Sequence, residues 1–244
     1  MSDAVFRKSQ ADAPPGFFEA EANGLRWLAL VDGGPPLPHV VAVDKHSITL
    51  ARIETGPATA SSAEDFGRAL ATMHRAGAPS YGAEWSGYIG ALPLDNTPGT
   101  PWSQWYAERR VLPYVRMARD RGALAGGDVR ALESACARLP ESDEDPARIH
   151  GDLWSGNVLW GADGRVWLID PAAHGGHRET DLAMLALFGE PYLDHIVSAY
   201  EEIWPLADGW RDRVGIHQLH PLLVHAVLFG GAYGPRAAAI AAHL

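Results

Sequence analysis

His150-Gly151-Asp152-Leu153-Trp154-Ser155-Gly156-Asn157 sits between a helical stretch and a short β-rich run, on a loop that cannot be regular helix. An Asp and an Asn five positions apart on such a loop can point the same way. Loops that move phosphoryl groups use this spacing: the carboxylate accepts the proton of the attacking hydroxyl, and the Asn holds a magnesium ion. Thirteen positions after Asn157, Leu168-Ile169-Asp170-Pro171 puts a second carboxylate at the end of an apolar strand. Mg2+ takes oxygen ligands, often one or two carboxylates together with phosphate oxygens. Asn157 and Asp170, drawn together by the hairpin between them, would supply such ligands. Taken singly, Asp152 and Asn157 read as turn residues and Asp170 as a strand-end cap. Their order and spacing as a set point to chemistry.

The 244 residues are 47 % apolar and 20 % charged, a globular balance with enough length for a buried core. Thirty acidic against twenty basic residues give a net charge of -10. Such a surface does not attract phosphate backbones, so no nucleic-acid partner is expected. No apolar run reaches the roughly 20 residues of a membrane span. MSDAVFRKSQ lacks the charged-then-apolar layout of a signal peptide. A cytoplasmic protein with no membrane partner is the expectation. Cys136 is the single cysteine, which excludes an internal disulfide and a cysteine-based zinc site. Lys8 and Lys45 are the only lysines. Base composition accounts for most of that preference for arginine, but a retained lysine can also mark a place for a compact ammonium.

Ala4 to Lys8 reads as a short strand. Phe17 to Leu30 repeats apolar residues at 18, 22, 25 and 28/29, a helical rhythm that Gly33-Gly34-Pro35-Pro36 ends. Val40 to Val43 and Ser47 to Ile53 are β-rich runs joined at Asp44-Lys45-His46, a hairpin whose tip leaves Lys45 in solvent. Thr55-Gly56-Pro57 predicts a boundary, with residues 1–54 against 55–244. Beyond it, Ser61-x-x-Glu64 has capping-box form ahead of a helix from Phe66 to His74. Residues 78–100 read as irregular. Thr100-Pro101 reads as an N-cap followed by a first-turn proline, opening a helix toward Arg121 with a kink at Pro113. Asp128 to Leu139 is a further helix, and Glu141 to Pro146 an acidic surface loop. Asn157 to Trp160 and Arg165 to Ile169 form a hairpin around Ala162-Asp163-Gly164, and helices resume at Asp181. The pattern predicts an α+β chain, a small αβ lobe followed by a larger, mostly helical one.

With HGDLWSGN at 150–157 and LIDPAAHGGHRETDLAMLALF at 168–188, the chain resembles the fructosamine kinase (ketosamine kinase) family, a relative of aminoglycoside and choline kinases. The His-Gly-Asp and Asn alone would mark only the wider superfamily. Leu153-Trp154, Asp170-Pro171-Ala172 and the run from Gly176 to Met184 narrow it. Gln218-Leu219, Leu222-Leu223-x-His225 and Phe229-Gly230-x-x-Tyr233 resemble the family's last helices, so the similarity runs from about Val5 to Tyr233.

The resemblance implies a bilobal protein-kinase-like fold with ATP between the lobes. It implies ATP- and Mg2+-dependent phosphorylation of a sugar hydroxyl of a ketosamine, an ATP:ketosamine 3-phosphotransferase in deglycation repair. The acceptor would be a small-molecule ketosamine or a glycated amine or protein, and the enzyme a monomer or homodimer. Asp152 would be the catalytic base, and Asn157 and Asp170 the Mg2+ ligands. Lys8 would meet the ATP phosphates, held by Glu21, with Glu19 the alternative partner. Ala51, Arg52 and Ile53 would offer backbone groups to adenine. His150 and Asp181 would support the loop, Asp181 as a helix N-cap. Trp154, His174, His177, Arg178 and Glu179 would face the substrate. Trp102, Trp105 and Trp154 are candidates for stacking on a sugar face, although aromatics are more often core. His174 and His177 lack a matching ligand set for a metal, and His217 and His220 read as helix packing.

Two departures stand out. Seven residues precede Lys8, and neither a Gly-rich phosphate loop nor a Gly-x-x-x-x-Gly-Lys-Ser/Thr motif occurs. Weaker phosphate coverage and an exposed edge along Val5 to Lys8 are expected, an edge that a homodimer would cover. Ala173-His174-Gly175 stands where the family has aromatics. Two alternatives remain: the same mechanism on an aminoglycoside-like or other amino-sugar hydroxyl, and a catalytically inactive kinase-fold binding protein. Lys8, Glu21, Asp152, Asn157 and Asp170 are all chemically competent types, which favours an enzyme.

Overall fold

The computed structural model describes residues 4–244. The chain opens with strand β1 (Val5–Ser9), helix α1 (Phe17–Leu28) and the hairpin of β2 (Val40–Asp44) and β3 (Ser47–Ala51). These strands form an antiparallel sheet in the order β1-β3-β2, with Lys8 opposite Ile48. Asp44 sets the hairpin turn by accepting from His46 N at 2.8 Å and from the Ser47 hydroxyl at 3.0 Å, and Lys45 is exposed at its tip. Ile48 and Leu50 of the sheet pack on Phe18, Ala22 and Leu25 of α1, the residues that the helical rhythm selects.

Helix α2 (Ala60–Arg75) follows. Its cap is Thr59, whose hydroxyl oxygen accepts from Ser62 N at 3.1 Å, and not the Ser61 box. Residues 78–100 are not wholly irregular, because β4 (Gly87–Ile89) and β5 (Leu92–Leu94) pair across a turn at Gly90. Three-residue strands containing Pro93 are too short to show alternation. Helix α3 (Trp102–Tyr106) is capped by Pro101 rather than Thr100. A π-helical turn over Ala107–Val111 joins it to α4 (Leu112–Asp120). Pro113 has no N–H for the Arg109 carbonyl. That carbonyl accepts from Arg110 Nη1 at 3.2 Å, so the helix widens where a kink was expected. Helix α5 (Gly126–Cys136) starts two residues before Asp128, whose carboxylate accepts from Ala125 N at 2.9 Å. Burial pushes the Cys136 thiol up to about 11, so it is an unreactive packing group.

Strand β6 (Ala147–Ile149) pairs with β9 (His174–Gly176), and β7 (Val158–Trp160) with β8 (Val166–Leu168). The second pair is the expected hairpin. The first was hidden because β9 is glycine-rich: a Cβ on Gly175 would lie 2.0 Å from Ser80 O. Helices α6 (Glu179–Phe188), α7 (Leu193–Ile203), α8 (Trp210–Phe229) and α9 (Tyr233–Ala241) complete the chain. One core gathers Tyr106, Tyr114, Leu219 and Leu222; a second gathers Phe66, Leu70, Leu182 and Ile196 around Leu153 and Leu168. The second core therefore anchors both the 150–157 loop and the strand leading to Asp170. Among the described residues no helix is long and apolar enough to cross a membrane.

Candidate active site

A tight turn and a buried carboxylate shape the 150–157 loop. Gly151 has φ +80°, and a Cβ there would lie 2.4 Å from Ala172 O, so only glycine fits. Asp181 is buried in α6 and reaches back to the loop. It accepts from His150 N at 2.7 Å and from Gly151 N at 2.9 Å. His74 Nε2 lies 3.1 Å from the same carboxylate, and the Tyr200 hydroxyl lies 2.9 Å from His74 Nδ1. Burial would raise the Asp181 pKa, but the bonds and charges of His74 and His150 hold it below the ordinary value. Asp181 is therefore not an N-cap; α6 begins at Glu179, with Arg178 in the cap position.

His150 is a second tie. Its Nδ1 accepts from Asp152 N at 3.3 Å, which leaves Nε2–H to donate to Ile169 O at 2.9 Å. The ring thus joins the loop to the residue before Asp170. Burial lowers its pKa, favouring the neutral form that these two bonds require. Asp170 itself has φ +54°, a left-handed conformation that costs a non-glycine residue roughly 1–3 kcal/mol and concentrates at functional sites.

Asn157 Nδ2 donates to Asp152 O at 2.8 Å and to Asp152 Oδ2 at 3.0 Å, leaving Asn157 Oδ1 as an acceptor. Lys8 Nζ donates to Glu21 Oε1 at 2.8 Å and also contacts Asp170; Glu21, not Glu19, is its partner. Burial works against the ammonium, but the charges of Glu21 and Asp170 raise its pKa. Burial pushes Asp152 up to about 7; the Asn157 bond opposes this, and the charges of Asp170 and Asp181 add to it. Asp152, Asn157 and Asp170 present oxygen donors alone, a set that fits a hard cation such as Mg2+.

Lys8, Glu21, Asp152, Trp154, Asn157 and Asp170 line one cleft of about 330 Å³. A smaller pocket of about 160 Å³, lined by Phe6, Leu50, Ala51, Arg52, Ile53 and Leu159 among others, adjoins it. Lys8 and Asp170 belong to both. Within the expected adenine-facing trio, Ala51 N donates to His39 O at 2.9 Å and Arg52 N to Ala4 O at 3.1 Å. Only the Ile53 N–H remains without a backbone acceptor among the described residues.

Four residues expected at the substrate lie elsewhere. His174 is buried in β9, with Nδ1 2.7 Å from Ala172 O. His177 packs 5.0 Å from the Trp102 ring and 4.7 Å from His217. Burial takes both imidazoles well below their ordinary pKa. Arg178 is paired with Glu144 at 2.6 and 2.7 Å, which also ties the 141–146 loop to the core rather than leaving it in solvent. Glu179 is gripped by Arg213 at 2.5 and 3.0 Å. Burial would raise its pKa, but the bonds from His217 and Arg213 bring it to about 2. The donor atoms of His177, Glu179 and His217 lie within 4.8 Å of one another, a grouping that the spacing did not reveal. Arg213 engages both Glu179 oxygens, so the cluster is an ion-pair node. Trp102 and Trp105 are core residues; Arg110 stacks on Trp105 at 4.3 Å. His217 and His220 are buried on α8, as expected.

The sequence reading missed Trp85 and Tyr88, which line the same cleft. Tyr88 donates to Pro15 O at 3.0 Å, and its ring lies 5.2 Å from Phe17, so this segment braces the start of α1. The density of aromatics in residues 78–100 was the available signal.

This architecture is that of the kinase-like phosphotransferases. The AMP-bound complex of a spectinomycin phosphotransferase superposes with a TM-score of 0.60 over 97 % of this chain and 86 % of that one, at 13 % identity, a likeness of fold alone. The sequence model described as fructosamine kinase matches residues 1–244. A probable ketoamine kinase of Thermus thermophilus is 37 % identical over 226 residues, 93 % of this chain and 82 % of the relative. A crystal structure from Thermobifida fusca, described as a "putative fructosamine-3-kinase", shares 54 % identity with a TM-score of 0.90, covering 97 % of this chain and 84 % of that one. The chain belongs to the fructosamine kinase family.

Proposed function

We propose that this enzyme transfers the γ-phosphoryl group of ATP to a sugar hydroxyl of a ketosamine, with Mg2+ as cofactor. The observation that carries the reading is the junction of two pockets at Lys8 and Asp170, with Asp152 on the larger side. The apolar pocket suits adenine, with Ile53 as backbone donor. Lys8 would hold the phosphates, and Glu21 would orient it. Asn157 and Asp170 would hold Mg2+, which when bound neutralises phosphate charge. Asn157 engages one oxygen of Asp152 and leaves the other to accept the sugar hydroxyl proton. Burial makes that carboxylate a stronger base than a surface aspartate. Residues 1–54 would form the nucleotide lobe and 55–244 the acceptor lobe.

The fructosamine and ketoamine kinase relatives support the acceptor class. The aminoglycoside alternative has the fold alone behind it, and the inactive-kinase alternative has no missing catalytic group behind it. The test is product analysis after incubation with ATP, Mg2+ and a fructose- or ribulose-amine adduct. The expected product is the adduct carrying one phosphoryl group, formed one-for-one with ADP. Phosphorylation of an aminoglycoside in place of the adduct would reassign the acceptor. ATP binding with transfer to neither would support a binding protein.

A further inference from the structure

A row of aromatic rings runs from the 150–157 loop to the last helices, and phosphoryl transfer leaves it unused. Trp154 lines the cleft and is 37 % exposed. Its ring meets Phe188, at the end of α6, edge-on at 5.9 Å. Phe188 lies 4.8 Å from the ring of His225 on α8. His225 lies 5.5 Å from Phe229, the last residue of α8, which is 69 % exposed.

Of these rings only Trp154 lines the cleft itself, and two observations place the rest of the row beside it. Gly90, at the tip of the β4–β5 hairpin, lines the cleft, and a Cβ there would lie 3.1 Å from Leu228 beside Phe229. His225 also shares a small cavity with Gly151 and Asp152. His225 Nδ1 lies 2.8 Å from Pro221 O, which assigns the hydrogen to Nδ1 and leaves Nε2 as an acceptor. Burial lowers the pKa of this ring and so favours that neutral acceptor form.

We propose that Trp154, Phe188, His225 and Phe229 form a subsite for the amine carrier of the acceptor, one that prefers an aromatic or long apolar carrier to a short polar one. The proposal rests on the ketosamine reading. In a ketosamine the amine is bonded to the carbon at the end of the sugar, so a sugar seated at Asp152 sends its carrier outward through the cleft mouth. There the substituted amine can donate to His225 Nε2, and the carrier can cover the exposed Phe229 ring. Contacts of one ring on another are worth about two- to tenfold each in affinity.

The test compares kcat/KM for two adducts of the same sugar, one on glycine and one on phenylalanine. Wild type is expected to favour the phenylalanine adduct by about tenfold. Phe229→Ala is expected to bring that preference to about twofold or less, with the glycine adduct and the KM for ATP unchanged. Phe229→Tyr, which keeps a ring, is expected to retain the preference. Equal use of both adducts by wild type overturns the proposal. So does a preference intact in Phe229→Ala, or an equal loss on both adducts in a folded variant. Failure of wild type on every ketosamine overturns the ketosamine reading and this proposal together, whereas failure of carrier selectivity alone leaves that reading standing.

Discussion

The two walls of the cleft are held in different ways. Behind Asp152, a buried carboxylate, two histidines and a tyrosine form a chain of hydrogen bonds from Tyr200 through His74 and Asp181 to the loop amides. His150 carries the tie on to Ile169. Opposite, Lys8 sits on β1, which among the described residues pairs only with β3 and exposes Val5 and Phe6 at 40 % and 47 %. Its head is placed by two carboxylates, one of them across the cleft. The chemical wall is rigid because its polar groups are buried and mutually satisfied. The nucleotide wall is less firmly tied because it rests on an edge strand and on the partly buried ion pairs of one lysine. Changes to the first should therefore abolish chemistry or unfold the protein. Changes to the second should weaken ATP use in a protein that still folds.

The largest expected effect is at the reacting carboxylate. Asp152→Asn should lower kcat by about 10³-fold. Its melting temperature should equal or exceed that of wild type, because the change removes a desolvated charge. Steady-state turnover and a thermal melt check both. Asp181→Ala should cost about 3 kcal/mol of stability in urea unfolding, since it leaves two loop amides and His74 without their acceptor. The sign with pH follows from its depressed pKa. The stabilisation is full above the unfolded value near 3.8 and fades as pH falls through the lower folded value. The gap between wild type and variant should therefore narrow in acid.

Lys8→Ala tests the softer wall. It should reduce kcat/KM for ATP by roughly 10- to 100-fold while leaving the KM for the acceptor within about twofold. An equal rise in both KM values would show that the two walls are not separable. The smallest effect is expected at Glu190, whose buried carboxylate oxygens have no hydrogen-bond partner among the described residues and whose pKa burial pushes up to about 7. A raised folded pKa means that stability is lost as pH rises from about 4.5 to 7. Glu190→Gln should thus stabilise the protein by roughly 1 kcal/mol at pH 8 and by almost nothing at pH 4, read from urea midpoints.

The contrast between the walls also explains what the sequence could reveal. Asp152, Asn157 and Asp170 were legible because their spacing encodes a loop and a hairpin, both of which formed. Lys8 and Glu21 were legible through the family resemblance and meet as expected. His174, His177 and Glu179 were misplaced because adjacency to Asp170 in sequence says nothing about direction. The chain turns inward at Ala172 and buries them. Asp181 had the right purpose with the wrong geometry, since a helix-start aspartate looks alike whether it caps its own helix or reaches another loop. Tyr88 was missed because a three-residue strand carries no periodic signal, and Trp85 because it lies in a bend outside any strand.

The central claim is direct transfer between two pockets that meet at Lys8 and Asp170. The measurement that tests it follows the label from γ-³²P-ATP in wild type and Asp152→Asn, with Mg2+ and a ketosamine. The account predicts label on the sugar, equal to the ADP formed, none retained on wild-type protein, and near-complete loss in the variant. Label accumulating on the protein, or full transfer by Asp152→Asn, would contradict it.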